Sequence, residues 1–379
     1  MRYILIILFT VLLGACASID DEFPVPPAST VSKFSVEVLD EEARTVQFTN
    51  ESIVPENAGS ASYTWSFGDG TNSSEVSPTH TYEEFGEYEV KLVVLTTGSG
   101  EIKESSQEIA VLQPVNIDFT LYYMDTDMLQ IVGVGEQNVN ADVNGFGNGL
   151  AIDKEGGKLY YADDDNLSLN RMDLDGGNPE VVYAGLTGIG SVAIDAVEGR
   201  VYWTNRVDGT VHRGNLDGSG SAETIIEGLE LPEGIAIHNG KVYVSDVQAP
   251  PVGENIYVAN TNGSGLEVFL AGNWGYALAI DPVNERLYFG DQGVYDDPED
   301  NRLKSVNLND NSDILTLATI EPIGANGSRT YGIGINTAEN KVYWTDRSSG
   351  RIKSANLDGS GIETVLVAEG SPRGIALSF

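Results

Sequence analysis

Eight polar and aromatic residues lie within three positions before a short apolar phrase that recurs along the chain. Aromatic rings interleaved with a few charged groups suit the binding of a sugar ring or a peptide loop. Glu233 and Asn148 also carry oxygen atoms, so a metal-dependent enzyme site is an open alternative. The candidate ligand-binding residues are Phe146, Asn148, Glu233, Trp274, Tyr276, Arg329, Tyr331 and Arg373.

Other chemistry is poorly represented. With one cysteine, Cys16, and three histidines, the chain can form no internal disulfide and no cysteine-based zinc site. Nucleophile elbows, HExxH motifs and phosphate-binding loops do not occur. We therefore expect that the protein is not an enzyme and that it has neither catalytic residues nor a cofactor. The acidic loop 296–301 could hold Ca2+, although it lacks the alternating ligand spacing of a defined calcium loop.

The elements that must position these residues are repeats with a period near 40 residues, which indicates propeller blades of four strands each. Each repeat contains two short sequence segments, called the first and the second phrase below. The first phrase is rich in small residues, which suits the innermost strand of a blade, and the second has a central aromatic residue and follows after a short turn. We expect 374–378 and 121–125 to complete one blade and close a ring of six. The first phrase occurs at 149–153, 191–195, 234–238, 277–281, 332–336 and 374–378, and the second at 121–125, 159–163, 201–205, 242–246, 287–291 and 342–346.

Residues 342–346 read VYWTD, and residues 117–379 resemble the YWTD propeller of low-density-lipoprotein-receptor class B repeats. The resemblance implies a six-bladed β-propeller that binds protein ligands on one face. We expect the longer insertions, 247–255, 292–301 and 320–331, to share that face with the eight candidates. Other six-bladed propellers include metal-dependent lactonases and lyases, which keeps the enzyme alternative open. The repeated carboxylates are expected to be framework groups: Asp163, Asp246, Asp291 and Asp346.

Residues 31–113 alternate apolar and polar positions between turn signals, as in a β-sandwich. The run WSFGDG at 65–70, followed by THTY at 79–82, resembles the PKD domain, an immunoglobulin-like module. We expect a tight turn at 68–70, with His80 and Tyr82 tying the following strand to it. The resemblance implies a spacer or interaction module.

The first residues resemble the signal of a bacterial lipoprotein. A short apolar stretch follows Arg2, and Leu13-Gly14-Ala15-Cys16 resembles the lipobox, which implies that Cys16 carries the acyl chains of a membrane anchor. The acidic run at 20–22 resembles the surface-export signal of Bacteroidota lipoproteins and implies the outer face of the outer membrane. We assign 1–15 to the signal peptide and 16–30 to a tether.

The sequence thus predicts an all-β protein in which an immunoglobulin-like β-sandwich precedes a six-bladed β-propeller. A net charge of -36 argues against nucleic acid as a partner. We expect a monomeric surface lipoprotein that binds a glycan or a protein, in adhesion or in substrate capture. A purely structural role in the envelope is a further alternative.

Overall fold

The computed structural model describes residues 29–40, 43–112, 117–145, 147–247, 255–273, 275–291, 301–320 and 329–379. The chain divides into two compact units, one up to Ile109 and one from Ala110 onward. The described part is built almost entirely of strands, with one short 3-10 helix at Glu56–Ala58. Within it, no helix is long and apolar enough to cross a membrane.

The first unit is a sandwich of two antiparallel sheets, with strand orders β1-β2-β5 and β4-β3-β6-β7. Alternating apolar residues on these strands point between the two sheets, as the sequence pattern predicts. The strands are β1 (Phe34–Asp40), β2 (Thr45–Asn50), β3 (Ala61–Ser66), β4 (Asn72–Ser73), β5 (Thr79–Thr81), β6 (Gly86–Thr96) and β7 (Ile102–Val111).

The core of the sandwich is centred on Trp65, whose ring packs edge-on against Phe34 with a centroid distance of 5.2 Å. Gly68 follows the strand in the left-handed region, with φ of 84°, so the turn requires glycine there. The Tyr82 hydroxyl donates to the Phe67 carbonyl at 3.0 Å, and His80 Nε2 lies 2.6 Å from Asp69 Oδ2. The predicted tie between this turn and the following strand is confirmed.

The second unit consists of six four-stranded antiparallel sheets, and the predicted six-bladed propeller is confirmed. The small-residue phrase forms the innermost strand of each blade, and these inner strands neighbour one another around the ring. Blade 1 contains β8 (Thr120–Asp125), β9 (Gln130–Gly135), β10 (Val139–Asp142) and β31 (Pro372–Ser378). Blade 2 contains β11 (Leu150–Asp153), β12 (Lys158–Asp163), β13 (Ser168–Asp173) and β14 (Glu180–Ala184), and blade 3 contains β15 (Ile189–Asp195), β16 (Arg200–Asn205), β17 (Thr210–Asn215) and β18 (Glu223–Ile226).

The remaining three blades repeat this order. Blade 4 contains β19 (Pro232–His238), β20 (Lys241–Asp246), β21 (Asn255–Asn260) and β22 (Glu267–Ala271), and blade 5 contains β23 (Leu278–Asp281), β24 (Arg286–Asp291), β25 (Arg302–Asn307) and β26 (Leu315–Thr319). Blade 6 contains β27 (Ile333–Asn336), β28 (Lys341–Asp346), β29 (Arg351–Asn356) and β30 (Glu363–Val367).

Blade 1 is completed by strands from opposite ends of the propeller sequence. β31 pairs antiparallel with β8, with Ile375 opposite Tyr123 and Leu377 opposite Leu121. The predicted closure is therefore present. It gives every blade four strands, so that only the short edges of the individual blades remain.

Hydroxyl groups in the second phrase join the strands and the blades. Thr204 Oγ1 accepts the Ser191 N–H at 2.9 Å and donates to the Glu233 carbonyl of the next blade at 2.7 Å. Ser245 repeats this pattern, since it accepts the Gly234 N–H and donates to the Gly275 carbonyl at 2.6 Å. The threonine of the motif is thus a buried bridge between neighbouring blades.

The carboxylates that end the second phrase hold the backbone of the adjoining turns. Asp163 accepts the N–H of Asn166 at 2.9 Å, and Asp246 accepts the N–H of Leu231 at 2.7 Å. Asp346 lies 3.4 Å from the N–H of Ser349, whereas Asp291 forms an ion pair with Lys304. All four are buried, and the backbone contacts of Asp163, Asp246 and Asp346 agree with the predicted framework role.

Candidate functional site

A cavity of about 930 Å³, called the funnel below, surrounds the propeller axis. Every blade contributes to its lining. It adjoins a narrow space of about 50 Å³ that shares Asn148 and Tyr331 with it and is otherwise walled by small and aliphatic residues in or next to the inner strands. The funnel is lined by Asn148, Asp164, Leu167, Gly188, Arg206, Val207, Leu231, Glu233, Tyr276, Arg329, Tyr331, Arg347 and Arg373.

Two positions of the repeat supply most of this lining. One is the residue before the small residue of each inner strand, where the blades carry different side chains. The other is the residue directly after the second phrase. Around the ring, from blade 1 to blade 6, the first position holds Arg373, Asn148, Gly190, Glu233, Tyr276 and Tyr331.

Six of the eight candidates from the sequence come together in the funnel: Asn148, Glu233, Tyr276, Arg329, Tyr331 and Arg373. Phe146 and Trp274 lie outside the described residues, as does the proposed lipid attachment site at Cys16. The acidic loop also lies outside them apart from Asn301, which is buried. That the six residues bind a ligand stays a prediction.

Three charged residues of the funnel were missed at the sequence level. Asp164, Arg206 and Arg347 each follow directly after a second phrase, in blades 2, 3 and 6. The residue that follows the second phrase varies between repeats just as the residue at the entry into the inner strand does. This variation is the sequence signal that marks all three.

Glu233 is the most deeply buried ionisable group of the funnel, with 3% of its surface exposed. Its Oε2 atom has no hydrogen-bond partner, while Oε1 lies 3.6 Å from Nη1 of Arg206. Burial raises the pKa of this carboxyl to about 7, although the Arg206 charge and the Asn148 amide partly offset the effect. The carboxyl therefore exchanges its proton near neutral pH.

The two tyrosines of the funnel form one cluster with arginines. The Tyr276 and Tyr331 ring centroids lie 4.7 Å apart, and the Arg329 guanidinium lies 5.3 Å from the Tyr276 ring centroid. Arg373 and Arg347 lie over Tyr331 at 5.0 Å and 5.7 Å, and this tyrosine is only 7% exposed. The Tyr331 ring consequently supports guanidinium groups by cation–π contact and offers little free surface for stacking.

Arg373 links this aromatic cluster to the polar side of the funnel. Its Nη1 donates to Oδ1 of Asn148 at 2.8 Å. Burial lowers the pKa of the Arg373 guanidinium, and the positive charges of Arg347 and Arg206 act in the same direction. Guanidiniums remain protonated at physiological pH, so the cluster keeps closely spaced positive charges that favour an anion.

Across from this cluster, Arg206 forms a close ion pair with Asp164. Among the described residues, no three His, Cys, Asp or Glu side chains are grouped so as to hold a metal ion. The geometry can therefore pair an anionic group through the arginines and accept a hydrogen bond at Glu233. It can also supply a proton donor or acceptor near pH 7.

Family models and known proteins give an independent view of both units. The PKD domain model matches residues 32–111, and the model of the low-density lipoprotein receptor repeat class B matches residues 340–377. Collagenase ColA of Bacillus cereus is 44% identical over 62 residues, which are 16% of this chain and 6% of the collagenase. Collagenase ColA of Clostridium perfringens is 36% identical over 93 residues, 24% of this chain and 8% of the enzyme.

Protein cueball of Drosophila simulans is 24% identical over 182 residues, which are 46% of this chain and 28% of cueball. The chain thus spans less than a third of the length of these curated relatives. Among solved structures, a chain of a nidogen–laminin complex superimposes with a TM-score of 0.59 at 17% identity, over 69% of this chain and 98% of that one.

TolB from Acinetobacter baumannii has a TM-score of 0.53 at 12% identity, over 77% of this chain and 79% of TolB. A gluconolactonase from Xanthomonas campestris has a TM-score of 0.52 at 13% identity, over 70% of this chain and 93% of the enzyme. At these identities the likenesses show the fold alone. Together these comparisons show a match to the PKD domain at 32–111 and a match to the low-density lipoprotein receptor class B, or YWTD, repeat at 340–377, the latter within a six-bladed propeller fold.

Proposed function

We propose that this protein is a cell-surface lipoprotein that captures a glycan or a protein in the funnel of its propeller. A PKD domain joined to a YWTD propeller indicates a binding or adhesion role. In this proposal the PKD domain is a spacer, the propeller is the binding head, and lipid on Cys16 anchors the chain to the outer membrane.

The observation that carries the proposal is the funnel itself. The repeat keeps a carboxylate or amide at the end of the second phrase in all six blades, whereas the two positions that supply most of the funnel lining vary around the ring. A volume of about 930 Å³ is large enough for an oligosaccharide or an inserted peptide loop. A nidogen–laminin complex contains a similar propeller, which is consistent with a protein ligand.

Glycan and protein arrays probed with the purified protein test this proposal. A specific ligand should be retained by the wild type and lost by Tyr276→Ala, which removes the ring that contacts Tyr331 and Arg329. Tyr63→Ala, a change at a half-buried tyrosine of the PKD domain, is the matched control and should bind normally. Binding that survives Tyr276→Ala and is lost in the control would move the site to the PKD domain.

Anchoring and location need separate tests. We expect radiolabelled palmitate to be incorporated into the wild-type protein in cells and not into Cys16→Ala. Externally added protease should degrade the propeller on intact cells if the chain reaches the outer face. Labelling of Cys16→Ala, or full protection from the protease, would contradict the proposed anchor or its surface location.

One observation favours an enzyme as the second candidate function. Glu233 combines a raised pKa of about 7 with a place in the funnel, as a general acid or base requires. Sugar-lactone hydrolysis, measured with and without added divalent cations, is the direct test. Turnover by the wild type that is lost in Glu233→Gln would replace the binding proposal with a lactonase-like one.

A further inference from the structure

The charge of the residues that line the funnel is opposite in sign to the net charge of the chain. The chain as a whole carries a net charge of -36, yet the described residues that line the funnel include four guanidiniums and two carboxylates. The carboxylates are Asp164 and Glu233, of which Glu233 is partly protonated at neutral pH because burial raises its pKa. A local excess of positive charge therefore faces the cavity, where low dielectric strengthens its attraction for an anion.

The excess is concentrated on one side of the funnel. Arg206 is already paired with Asp164 and lies near Glu233. Arg347, by contrast, has no carboxylate within ion-pair distance among the residues that the structure describes, and its guanidinium rests over the Tyr331 ring. Arg373 lies over the same ring and donates to a neutral amide oxygen, that of Asn148. Two guanidiniums thus share one aromatic support.

Glu233 supplies the second, independent sign of a ligand. The residue is 3% exposed and lines the funnel, and its Oε2 atom has no hydrogen-bond partner. A buried acceptor without a donor is costly, so such an atom in a cavity indicates a ligand that brings an O–H or N–H group. The site therefore requires an anionic group and a hydrogen-bond donor within one ligand.

We propose that the funnel binds an acidic sugar, whose carboxylate pairs with Arg347 and Arg373 and whose ring hydroxyl donates to Glu233. This inference rests on the proposed binding function and names its ligand class. A uronic acid carries its carboxylate and several hydroxyl donors on one ring. The carboxylate of an aspartate or glutamate side chain offers acceptors only, so its donors must come from the backbone. The acidic sugar meets both requirements with a single residue.

The test is calorimetric titration of the full-length protein with tetramers of galacturonate, glucuronate, mannuronate and guluronate. The neutral methyl ester of each tetramer and tetraglutamate serve as comparison ligands. We expect at least one uronate to bind, with its methyl ester and tetraglutamate at least tenfold weaker. Failure of all four uronates, equal binding of an ester, or preferential binding of tetraglutamate would overturn the inference.

Two variants locate the contact. Arg347→Gln should weaken uronate binding by about tenfold or more, because it removes a charge-assisted hydrogen bond. Lys154→Gln removes the same charge at an exposed turn between β11 and β12, outside the funnel, and should bind like the wild type. Equal affinities of the two variants, with unchanged melting temperatures, would rule out the arginine cluster as the site.

Failure of this inference is distinguishable from failure of the proposed function. A neutral glycan or a protein that binds the wild type and not Tyr276→Ala would refute the acidic sugar and keep the funnel as a binding site. Absence of every array ligand together with every uronate would refute both.

Discussion

Removal of residues 374–379 would delete most of β31, the strand that closes blade 1. The change reaches two blade interfaces. Ile375 packs in a core with Leu121, Tyr123 and residues of blade 6, and Ala376 belongs to the core shared with blade 2. We expect the whole propeller to lose stability, because both neighbours of blade 1 would face an incomplete sheet.

The magnitude follows from what the strand buries. Ile375 is buried and Leu377 is half-buried, and each buried aliphatic side chain contributes about 1.5–3 kcal/mol. The ladder from Ile375 to Ser378 along β8 adds backbone hydrogen bonds of about 1 kcal/mol each. The loss of roughly 5 kcal/mol is comparable with the entire unfolding free energy of many domains. For a unit of this size it corresponds to a fall of about 10–20 °C in melting temperature.

Thermal unfolding of the full-length and truncated proteins, followed by near-UV circular dichroism, measures this effect. Deletion of Phe379 alone is the control, because that residue is 48% exposed and its loss should change the melting temperature by only a few degrees. If the truncated chain does not accumulate in cells, Ile375→Ala can be measured in its place. This substitution should lower the free energy of unfolding by about 2–5 kcal/mol. A truncated protein that melts within 2 °C of the full chain would refute the closure argument.

Three further predictions concern single buried groups. Glu233→Gln should raise the free energy of unfolding by about 3 kcal/mol at pH 8 and leave it nearly unchanged at pH 4. The reason is that the pKa of Glu233 in the folded state, about 7, exceeds the ordinary value of 4.5. The wild type therefore loses stability as the pH rises between these two values. Urea titrations at the two pH values measure it, and an equal effect at both would contradict the raised pKa. Thr204→Val should lower the free energy of unfolding by about 2–3 kcal/mol in the same assay, because it leaves the Ser191 N–H and the Glu233 carbonyl unpaired. Thr316→Val, at an exposed site of β26, is the control and should change this free energy little. Similar losses in the two variants would argue against the hydrogen-bonded bridge between blades. Tyr82→Phe should destabilise the PKD unit by about 1 kcal/mol through loss of the bond to Phe67, seen as a lower melting temperature of that unit, and an unchanged melting temperature would show that the bond contributes nothing.

Much of the fold could be predicted from the sequence because its determinants are local and repeated. A propeller blade places small residues at the axis, an aromatic residue in the second strand and a carboxylate at that strand's end. The sheet order and the β31–β8 pairing agree with what the phrase positions predict. The hydroxyl bridges of Thr204 and Ser245 were not predicted, since their acceptors lie in the next blade, 29 and 30 residues away.

The candidate site was predicted by position and only partly by chemistry. The sequence places Asn148, Glu233 and Arg373 at the entry into inner strands, and the structure brings them together. It does not reveal that Tyr331 lies beneath two guanidiniums, because one of these, Arg347, follows the second strand of the blade and does not precede an inner strand. The expected aromatic surface therefore has a cationic face, which depends on side-chain directions in three dimensions.

A cationic funnel can occur in an acidic protein because different positions of the repeat stabilise the fold and line the funnel. Tyr160, Thr204 and Asp246, each in a second phrase, hold blades and turns together through hydrogen bonds to backbone groups, which constrains these residues. The residue after the second phrase and the residue before the small inner-strand position vary from blade to blade and include most of the funnel lining. Charge can therefore change there without loss of the scaffold. Four arginines line a cavity in a chain that has 57 acidic and 21 basic residues. The composition of the chain alone would favour acidic residues at these positions. The fold does not require arginine there, and the binding of an anionic ligand accounts for the four guanidiniums.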